Sequence, residues 1–142
     1  MTVRVEQTFD VSASPETVWN FIADPEKRAR AISVVDGFEE TGDRTAVWQI
    51  ELPLPLLNRT ISVETEETDR DPPTYVRFVG RSSAVHVVGE HRLEATEDGS
   101  QLTNRFIVDG KLPGVERFFK GNLEDELRNL RDALYADLNH SG

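Results

Sequence analysis

Residues 113–138 read PGVERFFKGNLEDELRNLRDALYADL, and this stretch decides the fold. Val115, Phe119, Leu123, Leu127, Leu130, Leu134 and Leu138 recur at steps of four or three, which is one stripe of an α-helix. Charged residues such as Glu116, Lys120, Glu124, Arg128, Arg131 and Asp137 take the other faces. From Val115 to Leu138 the rod would be about 36 Å long, at about 1.5 Å per residue. No other helix candidate approaches that length. A helix apolar along one stripe must lie on something, and nearly everything before it reads as strand.

Working back toward the N-terminus, alternation dominates. Leu102, Asn104, Phe106 and Val108 share one side of a strand, and Val85, Val87, Gly89, His91 and Leu93 share one side of another. Asp98-Gly99 between them is a hairpin signal. Val76, Phe78 and Gly80 form a shorter run, set off by the turn Asp71-Pro72-Pro73. Ile61 and Val63, then Trp48, Ile50 and Leu52, alternate in the same way, and Val34–Glu40 is a short strand ending at Thr41-Gly42-Asp43. The prolines of Pro53-Leu54-Pro55-Leu56-Leu57-Asn58 place that stretch outside any central strand. Its leucines form an apolar loop that could line a cavity mouth or dock on a partner or a second copy, as in a homodimer.

At the front, Val3, Val5, Phe9 and Val11 alternate with polar residues, and Gln7 is the one polar group on their side. Ser14-Pro15-Glu16 and Asp24-Pro25-Glu26 are two helix starts in succession, each with a capping side chain, a first-turn proline and an acid suited to the helix dipole. They predict short helices over about Pro15–Ala23 and from Pro25 to about Ile32. The expected architecture is α+β: a curved antiparallel sheet of about seven strands wrapped around a long C-terminal helix, with two short helices after the first strand, in a single domain over residues 1–142.

Composition narrows the partners. The chain has 16 basic and 26 acidic residues and a formal charge of −10, which disfavours nucleic acid. Lysine occurs only at Lys27, Lys111 and Lys120, and cysteine not at all. An acidic, lysine-poor chain suits concentrated salt, where the Debye length falls to about 3 Å at 1 M and self-repulsion is screened. A salt-adapted (halophilic) protein is therefore expected, with a melting temperature that rises between dilute and molar KCl; a flat or falling temperature would refute it. The N-terminus lacks the pattern of a signal peptide and no apolar run reaches 18 residues. A soluble cytoplasmic protein is the simplest expectation.

Three stretches carry a family resemblance: SPETVWNFIADPEKRARAI (Ser14–Ile32), HRLEATEDGSQLTNRF (His91–Phe106) and KLPGVERFFKGNLEDELRNLRDAL (Lys111–Leu134). In their order and motifs they resemble the START-like superfamily, also called Bet v 1-like or SRPBCC. Within it the nearest likeness is the polyketide cyclase/dehydrase-like group, which includes relatives of one component of carbon monoxide dehydrogenase. The resemblance covers essentially the whole chain and implies the helix-grip fold. The carbon monoxide dehydrogenase relatives often carry a longer membrane-associated tail, which this sequence does not show, so the resemblance does not carry a membrane role over, and no membrane span is expected.

The resemblance also implies a cavity for a small hydrophobic ligand (a lipid, isoprenoid or polyketide-like molecule) between sheet and terminal helix. Alternation puts Trp48, Leu52, Val63, Phe78, Val87, His91, Asn104 and Phe106 on the inward face, with Phe119 and Leu123 approaching from the helix and Ile32 from the second short helix. His91 and Asn104, on neighbouring strands, could orient a polar head, with His91 able to serve as acid or base, or simply satisfy each other or water. His86 and His91, five apart on one strand, face opposite ways and make no metal pair; no metal, cofactor or catalytic residue is assigned. Glu64, Glu66 and Glu67 read as a solvated strand edge. Binding is the first functional reading, with a cyclase/dehydrase-type enzyme in the same pocket and a ligand-free interaction module as alternatives.

Overall fold

Alternation builds the strands and capping builds the helices in the computed structural model, which describes residues 2–54, 57–111 and 114–141. The order is β1 (Thr2–Val11), α1 (Pro15–Ile22), α2 (Pro25–Ala31), β2 (Val35–Glu40), β3 (Thr45–Leu54), β4 (Leu57–Asp71), β5 (Tyr75–Arg81), β6 (Val85–Thr96), β7 (Gly99–Gly110) and α3 (Val115–Ser141). All seven strands join one antiparallel sheet in the order β1-β7-β6-β5-β4-β3-β2. The fold is the α+β helix-grip arrangement expected from the sequence.

The caps act as their chemistry requires. Ser14 Oγ accepts from Thr17 N at 3.3 Å, and Asp24 Oδ1 accepts from Glu26 N at 3.0 Å and Lys27 N at 3.4 Å. Helix α1 buries Val18, Phe21 and Ile22, while Trp19 is half-buried beneath the guanidinium of Arg70.

The stripe of α3 divides the core in two. Val115, Phe119, Leu123 and Leu127 pack with Trp48, Phe78 and Phe106 of the sheet. Leu130 and Leu134 pack with α1, Leu93 and Leu102. The helix is also tied to β1, since Gln7 Nε2 donates to Glu124 O at 3.3 Å and Tyr135 OH donates to Asp10 O at 3.1 Å.

Two expectations need correction. The prolines keep this stretch out of the central strands as expected, but its described ends, expected in a loop, are paired: Pro53 lies opposite Asn58 and Leu54 opposite Leu57. Strand β2 accompanies β3 only to Ile50, with one further bond from Glu51 N to Val34 O. Beyond that point β3 is an edge, where proline is tolerated. Pro55 and Leu56 of the expected apolar loop, and the side chains of Leu52, Leu54 and Leu57, lie outside the described residues. The second correction is Glu67, expected on a solvated edge. It is 6% exposed, because it shares the inward parity of Ile61, Val63 and Thr65 and finds two guanidinium partners there.

Candidate functional site

Between the inner face of the sheet and the N-terminal half of α3 lies a small chamber. Its walls come from α2 and the residues after it (Ile32, Val34), β3 (Trp48, Ile50), the central strands (Phe78, Val87, Phe106, Val108) and α3 (Phe119, Leu123, Glu126). Seven of the expected positions therefore meet around one space: Ile32, Trp48, Phe78, Val87, Phe106, Phe119 and Leu123. Val63 is buried in the same core without facing the chamber, and the Leu52 side chain lies outside the described residues. The chamber offers about 30 Å³, room for a water or two. In this conformation the inside is close to filled.

His91 and Asn104 are opposite each other on β6 and β7, as expected, and are 1% and 0% exposed. His91 Nδ1 lies 2.7 Å from Asn104 Oδ1. That oxygen only accepts, so Nδ1 carries the proton and Nε2 presents a lone pair. Neither His91 Nε2 nor Asn104 Nδ2 has a hydrogen-bond partner among the described residues. The imidazole does not line the chamber; it stacks on Phe78 at 6.2 Å and meets Phe106 edge-on at 5.9 Å, two rings that do. Burial first, and then the charge of Arg28, lowers its pKa to about 3 against the opposing hydrogen bond with Asn104. His91 is thus neutral near pH 7 and too weak a base for proton transfer there.

A polar centre that the sequence reading missed adjoins the chamber. Arg28 of α2 is 4% exposed. Its Nη2 donates to Glu67 Oε1 at 3.2 Å and its Nη1 to Ile22 O at 2.8 Å. Arg70 grips the same carboxylate, from Nε at 2.9 Å and Nη2 at 2.7 Å, and also reaches Ala23 O at 2.9 Å. The triad ties the α1–α2 corner to β4. Burial would raise the Glu67 pKa, but the bonds and charges of Arg70 and Arg28 outweigh it and hold the carboxyl below its usual range. The Arg28 guanidinium lies over Phe78, 5.1 Å from the ring centre, and its Nε has no partner among the described residues. Beside it is a cleft of about 10 Å³, which Trp48 and Phe78 also line.

Glu126 is the other missed residue. It is buried on α3 at the chamber wall and accepts from Ser33 N at 2.7 Å and from Ser33 Oγ, fastening α3 to the segment between α2 and β2. A larger hollow of about 360 Å³ lies on the outer face, lined by Thr45, Val47, Glu64, Glu66, Val79 and Arg81. It is open to solvent, and none of the buried groups lacking a partner lines it. Among the described residues no three His, Asp or Glu cluster closely enough to hold a metal, and no helix is long and apolar enough to cross a membrane.

Comparison with known proteins gives three kinds of result. A family model described as polyketide cyclase / dehydrase and lipid transport matches residues 2–134. No curated protein matches. Similar solved structures include a conserved protein from Geobacillus kaustophilus, with TM-score 0.80, 17% identity, and coverage of 98% of this chain and 97% of that one. A START superfamily protein from Mycobacterium smegmatis has TM-score 0.75, 16% identity, and coverage of 98% and 99%. The Zhui aromatase/cyclase from Streptomyces sp. R1128 has TM-score 0.72, 17% identity, and coverage of 96% and 93%. At such identities the likeness is one of fold.

Proposed function

This chain belongs to the polyketide cyclase / dehydrase and lipid transport family, and from that membership together with the inner chamber we propose that it binds a small hydrophobic molecule between the sheet and α3. The observation that carries the reading is the composition of the chamber: aliphatic and aromatic side chains from the sheet, α2 and α3 converge on it, with buried polar groups lacking partners close by. Apolar walls with a few polar groups suit recognition of a small molecule by burial of its surface. The present volume requires the walls to part for a guest, so binding is coupled to opening. The bond of Glu126 to Ser33 is the tie between α3 and the α2–β2 segment that such an opening would stretch.

Reaction of the guest in the same chamber, as in a cyclase or dehydrase, is the second reading. The neutral, weakly basic His91 counts against it as the proton carrier near neutral pH.

Native mass spectrometry of the purified protein and titration with the apolar fluorophore N-phenyl-1-naphthylamine test the proposal. A stoichiometric apolar adduct, or saturable fluorophore binding that the adduct displaces, is expected. Val87, half-buried on the chamber wall, is the control position. Val87→Phe fills the space and is expected to weaken the fluorophore at least about tenfold, while overpacking costs about 1–3 kcal/mol of stability. If neither adduct nor saturable binding is seen, the chamber is ordinary core and the chain acts through its outside.

A further inference from the structure

The apolar chamber and the polar cleft beside Arg28 share two walls, the rings of Trp48 and Phe78. Two buried N–H donors at this partition, Arg28 Nε and Trp48 Nε1, have no acceptor among the described residues. Such donors are costly to bury unmet. The guanidiniums of Arg28 and Arg70 face the carboxylate of Glu67, and the half-buried Asp24 also acts on Arg28, so it is the unmet donors and not a net charge that mark this centre. Glu40, Asp43 and Arg44 at the rim of the cleft are solvent-exposed and screened. The buried Glu126 of α3, held by Ser33, is also on the wall of the chamber. A guest lying across the partition therefore meets unmet guanidinium and indole donors there and the Glu126 carboxylate on the wall of the chamber.

We infer that the ligand is an amphipathic carboxylic acid, whose carboxylate accepts from Arg28 Nε and Trp48 Nε1 while its apolar body fills the chamber toward Phe119 and Leu123. This rests on the reading that the chamber takes a guest, and adds the class of guest and its direction. Glu126 rejects the reversed orientation by like-charge repulsion. Trp48 is a wall of both cleft and chamber, so the residue that supplies a donor also stands between the two spaces.

The test is calorimetric titration with octanoate and octanol, matched in chain length, alongside N-phenyl-1-naphthylamine as a guest without an oxygen acceptor. Octanoate is expected to bind about tenfold more tightly than octanol, the difference made by charge-assisted hydrogen bonds. Trp48→Phe keeps an aromatic ring and removes the N–H. It is expected to weaken octanoate about fivefold or more relative to the fluorophore, which suffers the same loss of ring contact but has no acceptor for the N–H. Arg28→Lys keeps the charge but loses the Nε donor, and is expected to reduce the octanoate preference over octanol. Equal binding of octanoate and octanol, or an octanoate affinity unchanged relative to the fluorophore in Trp48→Phe, overturns the head-group assignment while the apolar chamber stands. Failure of all three guests to bind overturns both.

Discussion

Replacing Glu67 by alanine is expected to destabilise the protein by about 3–5 kcal/mol, measured by urea unfolding, because it strands two guanidiniums around a buried position. Arg28 is almost wholly enclosed and cannot reach water without leaving Phe78 and the carbonyl of Ile22. Burial already lowers its pKa, and Glu67 is the principal opposing influence. The expected size comes from the uncompensated charge and not from the ion pair's own worth. Replacing both partners, as Arg28→Met with Glu67→Leu, should therefore cost far less than the single change. The same carboxyl makes stability depend on pH. Its pKa in the folded protein lies below its unfolded value of 4.5. Its contribution is complete above that value and disappears as pH falls through the folded pKa. Wild-type protein should lose stability below about pH 4.5 more steeply than Glu67→Gln. A loss under about 1 kcal/mol in Glu67→Ala, or parallel acid profiles, would show that the guanidiniums find other partners.

Gly89 is the second sensitive position. It lies between Phe78 and Phe106 in the cross-strand row, on the inner face. A Cβ there would fall into the ring of Phe78 and 2.9 Å from Phe106 Cε1. The Phe78 ring has little room to yield, since Trp48, His91 and the Arg28 guanidinium pack around it. Gly89→Ala should cost about 1–3 kcal/mol by overpacking, and Gly89→Val more. Because Phe78 divides chamber from cleft, the alanine variant should also lose binding of the fluorophore disproportionately to its stability. Wild-type melting and binding in Gly89→Ala would mean that the rings repack freely, and the partition would then be softer than its packing implies.

How much of this was legible in the sequence differs from element to element. The strands, the long helix and the strand and α3 residues around the chamber follow from parity and periodicity, because a strand with one buried face and a helix with one buried stripe each leave a repeating mark, while α1 and α2 follow from their capping signals. His91 opposite Asn104 follows from the Asp98-Gly99 turn, which fixes the β6–β7 register. Glu67 and Glu126 left a signal that residue type obscured. Glu67 keeps the inward parity of Val63 and Thr65. Glu126 lies three residues beyond Leu123 and four before Leu130, on the buried stripe. Reading Glu67 as surface charge overrode its position, and Glu126 escapes notice when only apolar residues are counted on the stripe. Arg70 was harder, since the irregularity between Glu67 and Asp69 shifts the strand by one residue and no local residue type announces it. Arg28 could be paired only after β4 and α2 were placed in space, because its partner is 39 positions away.

The strand order also sets a timetable for assembly. From β2 to β7 each strand lies beside its successor, so that part of the sheet can form by zipping successive hairpins. β1 is made before the other strands of the sheet, yet among the described strands its one partner is β7, and Thr2 waits for Asp109. The first-made ribbon is thus the last to find its neighbour, and its bare flank is the part of the nascent chain most in need of a chaperone's shelter.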